Sequence, residues 1–235
     1  MQTKLPIGTF INMATVTVGS LIGLYLQNSF PPNIQAIIFQ AIGLGTLLIG
    51  MQMSLKIPDG YLLILIFSLI GGGVIGELMH LDVVLQNLSE SLKNSLNISG
   101  ENFTEGLVTA FLLFCIGSMT IVGAIEEGIS GKRELLMVKS LLDGVTSIAF
   151  ASTYGIGVLF SIIPMLFFQG GMTVLAVQTK SIFKEKIVAM ISAVGGMLIV
   201  GIGINLLQLG KINIENLLPA LVLAVVFSIF YERFQ

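Results

Sequence analysis

Long apolar runs, each broken by a short polar or turn-rich stretch, make up most of this chain. A helix crossing about 30 Å of hydrocarbon needs roughly 20 mostly apolar residues. By that ruler the pattern predicts spans at 6–27, 33–55, 60–80, 105–129, 134–153, 156–178, 186–208 and 216–232. The breaks include Pro31-Pro32, Pro58-Asp59-Gly60, Gly131-Lys132-Arg133 and Lys184-Glu185-Lys186. The count expected is about eight, and because very little separates the fourth, fifth and sixth runs, seven remains the alternative. The fold class expected is an all-α membrane protein, a polytopic helical bundle within one domain covering 1–235. The first run is too long for a signal-peptide core and no A-x-A site follows it, so it reads as a retained span.

One stretch follows a different rhythm. Leu81, Val84, Leu85, Leu88, Leu92 and Leu96 recur at three- or four-residue steps, with Asp82, Gln86, Glu90 and Lys93 between them. That pattern predicts an amphipathic helix lying at the membrane interface. Asn87-Leu88-Ser89 and Asn97-Ile98-Ser99 match the glycosylation triplet, which is common by chance.

The glycines suggest an internal repeat. Residues 43–55 and 194–206 align at an offset of 151, with Gly45 on Gly196 and Gly50 on Gly201, and the same offset sets Gly19 on Gly170. An inverted-topology repeat leaves such a match, here with halves 1–80 and 156–235 around central helices in 105–153. Gly19/Gly23 and Gly72/Gly76 are small-xxx-small pairs suited to close helix packing.

Composition strengthens the membrane reading. Apolar residues make up 54% and charged residues only 10%, against about 25% charged in an ordinary soluble domain. There is no basic excess to favour nucleic acid, with 11 Lys and Arg against 13 Asp and Glu. The lone Cys115 and lone His80 give no basis for a metal site, a cofactor or hydrolytic chemistry. No GxxxxGK[ST] or HExxH motif occurs, so the expectation is a non-enzyme without an ATP engine. On an eight-span count Lys4, Lys56, Lys132, Arg133, Lys180, Lys184, Lys186 and Arg233 share one side and Lys93 and Lys211 the other, which predicts cytoplasmic termini.

Ionisable groups inside a span cost roughly 2.5–3.5 kcal/mol each at its centre. Asp143 therefore carries the most information, roughly 13 Å into the fifth span at 1.5 Å per residue. Lys139 lies one turn earlier on the same face, and Ser140, Thr146 and Ser147 extend a polar stripe. Either Lys139 and Asp143 neutralise each other as a structural lock, or Asp143 binds a cation, a proton or a substrate amine. Intramembrane charges favour the second reading. Glu126 and Glu127 precede Gly128 as Asp143 precedes Gly144, and they suit the mouth of such a site. Gln169, followed by Gly170, is the best site candidate among the single amides, and Pro164 should break the same helix. Asn12, Gln40, Gln52 and Asn205 read as bridges between helices.

The stretch TEGLVTAFLLFCIGSMTIVGAIEEGISGKRELLMVKSLLDGVTSIAFASTYGIGVLFSIIPMLFFQG, residues 104–169, resembles the bacterial membrane-protein family of domain of unknown function 554, the YqgA/YdfK-like proteins. GTFINMATVTVGSLIGL, AIGLGTLLIGMQM, IGGGVIGE and GGMLIVGIGINLL resemble it too. The matching block includes Lys139, Ser140, Asp143, Gly144, Gly155, Gly157, Pro164, Gln169 and Gly170. The resemblance implies a bacterial inner-membrane location and a transporter-like architecture, with no substrate attached. Together these readings predict a gradient-driven carrier of an ion or small polar solute. Asp143 and Lys139 would bind it, with Ser140, Ser147 and Gln169 lining the site and Glu126 and Glu127 at its mouth. Gly144, Gly155, Gly157, Pro164 and Gly170 would serve packing or hinging. A scaffold held by a structural Lys–Asp pair and a passive channel are the alternatives. The partners expected are the lipid bilayer and an unidentified small solute, within one chain or a homo-oligomer, and not nucleic acid.

Overall fold

In a computed structural model, residues 5–27, 31–96, 103–176 and 184–234 are described, and every element among them is helical. Among the described residues, five helices are long and apolar enough to cross a membrane, and up to seven if each of two sharply bent pairs counts as one span. The upper figure meets the lower of the two expected counts. The helices are α1 (Ile7–Gln27), α2 (Pro32–Ser54), α3 (Leu62–Leu78), α4 (Leu81–Leu96), α5 (Phe103–Cys115), α6 (Ser118–Ser130) and α7 (Glu134–Tyr154). A broken run α8 (Gly157–Val174), then α9 (Glu185–Leu206) and α10 (Pro219–Phe234), complete them. Lys4, Lys180 and the Asn97-Ile98-Ser99 triplet lie outside the described residues.

Two of the expected spans differ from straight helices. The run 105–129 divides into α5 and α6, bent by 58° at a break where Gly117 is extended. Within α8 the helical turns restart after Ser161, run past Pro164 and widen into a π-helical turn over Leu166–Gly170. Proline has no N–H to close its own turn, so the backbone around it must find other partners.

The chain separates into two compact units, Met1–Phe39 with Glu105–Phe183 and Gln40–Thr104 with Lys184–Gln235. In the first, α1 and α7 lie together along a seam of small residues. Thr15 Oγ1 donates to the Ser140 carbonyl at 2.8 Å. A Cβ on Gly19 would strike the Gly144 carbonyl and the Ser147 hydroxyl, and one on Gly144 would lie 3.0 Å from Thr15 Cβ. Leu141, Leu142 and Val145 face away and are exposed, as the lipid side of a span requires. Gly155, at φ +73°, ends α7 in a conformation that only glycine adopts without strain.

In the second unit, Gly50 of α2 and Gly196 of α9 meet backbone to backbone, and Gly72 and Gly76 of α3 meet Ala220 and Asn216. Gly45, which the sequence alignment sets on Gly196, meets no described residue within 4 Å of where its Cβ would be. Tyr61, Ile64, Leu65, Met190, Ala193, Val194, Ala220 and Ala224 form a buried core. Asn216 ties α3 to α4, giving an N–H to Glu77 at 2.7 Å and accepting the Asp82 backbone N–H at 2.9 Å.

Asn205 closes the turn after α9 by giving its amide N–H to the Ile212 carbonyl at 2.8 Å and accepting the Ile212 N–H at 2.7 Å. Losing both leaves a half-buried backbone pair unmet. Asn205→Ala should therefore cost about 2 kcal/mol, read as a lowered melting temperature of the purified chain, and an unchanged melting temperature would show that the clamp contributes nothing.

Candidate functional site

The polar residues of α7 do not all serve one purpose. Ser140 and Ser147 give their hydroxyls to carbonyls of their own helix, Leu136 and Gly144, at 2.7 and 2.8 Å. Both also lie at the seam with α1, and each hydroxyl spends its donor within the helix and keeps only acceptor capacity. Thr146 does the same with Leu142. Lys139 and Asp143 turn inward. They form an ion pair one helical turn apart, with side chains only 10% and 5% exposed.

Two further helices complete this site. Asn12 of α1 donates from Nδ2 to Asp143 Oδ2 at 2.9 Å and to Gln169 Oε1 at 3.1 Å. Gln169 lies in the π-helical turn of α8, where an extra residue turns the side chain off the ordinary helical register. Asn12 and Gln169 are both fully buried. The spans thus bring together Lys139, Asp143 and Gln169, with Asn12 as the residue that joins them. Sequence reading treats Asn12 as a bridge only. Its signal is an amide in the middle of an otherwise apolar first span.

One turn toward the start of α1 lies a second carboxylate. Glu127 of α6 is fully buried, and its Oε1 accepts the Gly8 backbone N–H and the Arg133 Nε–H, each at 2.8 Å. Thr173 Oγ1 lies 3.5 Å from its other oxygen and 3.3 Å from the Gln169 carbonyl. This geometry depends on Gly131, whose left-handed conformation (φ +79°) ends α6 and returns an N–H to the Glu127 carbonyl. The chain then doubles back, so that Arg133 reaches Glu127. Arg133 is partly exposed, and the ion pair therefore links the buried layer to the surface. Glu126, the neighbouring carboxylate, is half-buried and takes no part in it.

Gly170 has ordinary contacts with Leu166 and Thr9, and Gly144 is a seam residue. Gly157 is buried at the start of α8 and Pro164 lies in its second short turn. No group of three or more metal-ligating side chains occurs among the described residues. A groove of about 350 Å³ along the outer side of the seam is lined by Ala14, Val18, Ile22, Leu141, Val145 and Ile148 and holds none of the charged side chains.

The family model described as protein of unknown function (DUF554) matches residues 7–229. The chain belongs to this family. It is 33% identical over 226 residues to the uncharacterized membrane protein YdfK of Bacillus subtilis (strain 168), covering 94% of this chain and 96% of that one. It is 30% identical over 227 residues to the uncharacterized protein YqgA of Escherichia coli (strain K12), again covering 94% and 96%. No solved structure matches the chain. Family membership and the apolar helices together make this a membrane protein. The quartet of Asn12, Lys139, Asp143 and Gln169 lies wholly within the matched region.

Proposed function

We propose that this family member is a gradient-driven secondary transporter or exporter of an ion or small polar solute, and not an enzyme. We place it in the bacterial inner membrane with both termini in the cytoplasm. One observation carries the reading. An ion pair and two amides from α1, α7 and α8 converge inside helices that are otherwise apolar, beside a broken helix. Irregular backbone at membrane depth is tolerated where it is buried in protein or lines a cavity. Carriers built from repeats bind substrate at such discontinuous helices. The sequence has no ATP-binding motif, which leaves an ion or solute gradient as the energy source. The glycine correspondence at an offset of 151 supports two related wings that rock about the central helices. Orientation draws support from the second unit, where Lys184, paired to Glu232, and Lys186, over the Tyr61 ring, share one end.

The test is thermal unfolding of the purified chain against a panel of cations, amines, amino acids and organic acids. Wild type is run beside Asp143→Asn and beside Lys139→Met with Asp143→Asn, which removes both charges of the pair. A ligand at 100 times its Kd should add about 2.7 kcal/mol of stability. The expected result is a hit in wild type that both variants lose while the double variant stays folded. No hit, with only the single variant destabilised, would make the pair structural and sink the carrier reading.

A further inference from the structure

Asp143 fixes the orientation of two amides. Its Oδ2 accepts from Asn12 Nδ2, and that same nitrogen then needs an acceptor from Gln169, which must be Oε1. Turning either amide over would set two donors or two acceptors against each other. The other ends follow from this. Asn12 Oδ1, an acceptor, and Gln169 Nε2, a donor, have no partner among the described residues although both side chains are fully buried. Buried polar atoms are nearly always paired, so two orphans on side chains that touch each other point to something that pairs them.

Lys139 shows what kind of group the site accepts. Its Nζ is on Asp143 Oδ1 and lies 5.7 Å from the centre of the Phe114 ring, within cation–π range. A carboxylate, an aromatic face and an open amide oxygen are what an ammonium group needs. In the structure the chain's own ammonium takes the carboxylate and the aromatic face and leaves the amide oxygen open.

We propose that the ligand is a small primary-ammonium compound with an oxygen acceptor on a nearby carbon, an amino alcohol or amino acid. Lys139 is its internal stand-in, holding Asp143 when no ligand is bound. This rests on the carrier reading above and names its substrate class. The ligand's ammonium replaces Lys139 Nζ at Asp143 and donates to Asn12 Oδ1, while its oxygen accepts from Gln169 Nε2. Lys139 withdraws along its four-carbon stem toward the start of α7. No covalent bond changes, and one cation replaces another beside the carboxylate. A bare alkali ion would use the oxygens but leave the Gln169 donor unpaired. An organic acid would bring a second negative charge to Asp143.

The experiment uses the full chain in detergent, with melting temperature read against ethanolamine, glycine, methylammonium, sodium, potassium and succinate at constant ionic strength. Ethanolamine or glycine should stabilise it, methylammonium less, and sodium, potassium and succinate not at all. Phe114→Leu should weaken the ethanolamine response by about fivefold in affinity. Lys139→Met, lacking the stand-in, should bind ethanolamine about tenfold more tightly than wild type. Should Lys139→Met fail to fold, the Phe114→Leu comparison decides alone. A sodium, potassium or succinate response that Asp143→Asn abolishes would overturn the ammonium inference and leave the carrier reading standing. An amine response that persists unchanged in Asp143→Asn would overturn it too, and no response to any compound would remove both readings.

Discussion

Lys139→Met is expected to destabilise the chain by about 3–5 kcal/mol, because it leaves a buried carboxylate without its counter-charge. Methionine keeps the length and most of the packing of the lysine stem, so the loss reports charge rather than volume. In the variant, Asp143 retains only the amide donor of Asn12 at 2.9 Å. Adding Asp143→Asn should recover most of the loss, since neither neutral side chain needs a counter-charge. The two changes lie in one ion pair and must couple, by about 2 kcal/mol or more. Denaturant unfolding of the four proteins in one detergent measures this directly. If Lys139→Met cost under about 1 kcal/mol, the pair would be behaving like a solvated surface contact, and the buried site described here would be wrong.

The reason this pair is legible in the sequence is that both partners lie on one helix. Helical spacing alone sets Lys139 above Asp143, and an apolar span makes two ionisable residues conspicuous. The rest of the site is tertiary. Asn12 and Gln169 are 157 positions apart, and nothing in either segment says that their amides meet. Ser140 and Ser147 follow the same stripe as Asp143, yet a stripe is wider than a site, and these two face the α1 seam. Glu127 and Glu126 are adjacent acids at the end of a span, and hydropathy cannot separate them. What separates them is the turn at Gly131, which brings Arg133 back onto Glu127. The bend between α5 and α6 is hidden for a related reason. Glycine is so frequent in these spans that Gly117 does not stand out from the glycines that only pack.

Gly19→Val should be among the most damaging changes outside the charged residues, costing about 3 kcal/mol, the upper end for overpacking a tight interior. The first added carbon already collides with the Gly144 carbonyl and the Ser147 hydroxyl, so α1 must move off α7. Carbonyl oxygens in a continuous helix cannot step aside as a flexible side-chain tip can. Gly23 lies one turn further on, against Ala151, and Thr15 one turn back, bonded to Ser140, so the seam has no slack at either end. Displacing α1 also carries Asn12 away from Asp143, and the variant should lose any ligand response together with its stability. Gly45→Val is the matched control, since no described residue lies within 4 Å of its Cβ position. It exchanges one apolar helical residue for another on an open face and should change stability by no more than about 0.5 kcal/mol. Melting temperatures of the two variants side by side check the argument. Equal losses would mean that helix propensity, and not the closeness of α1 to α7, governs these glycines. A selective loss at Gly19 would tie the glycine of the first span to the geometry of the buried site.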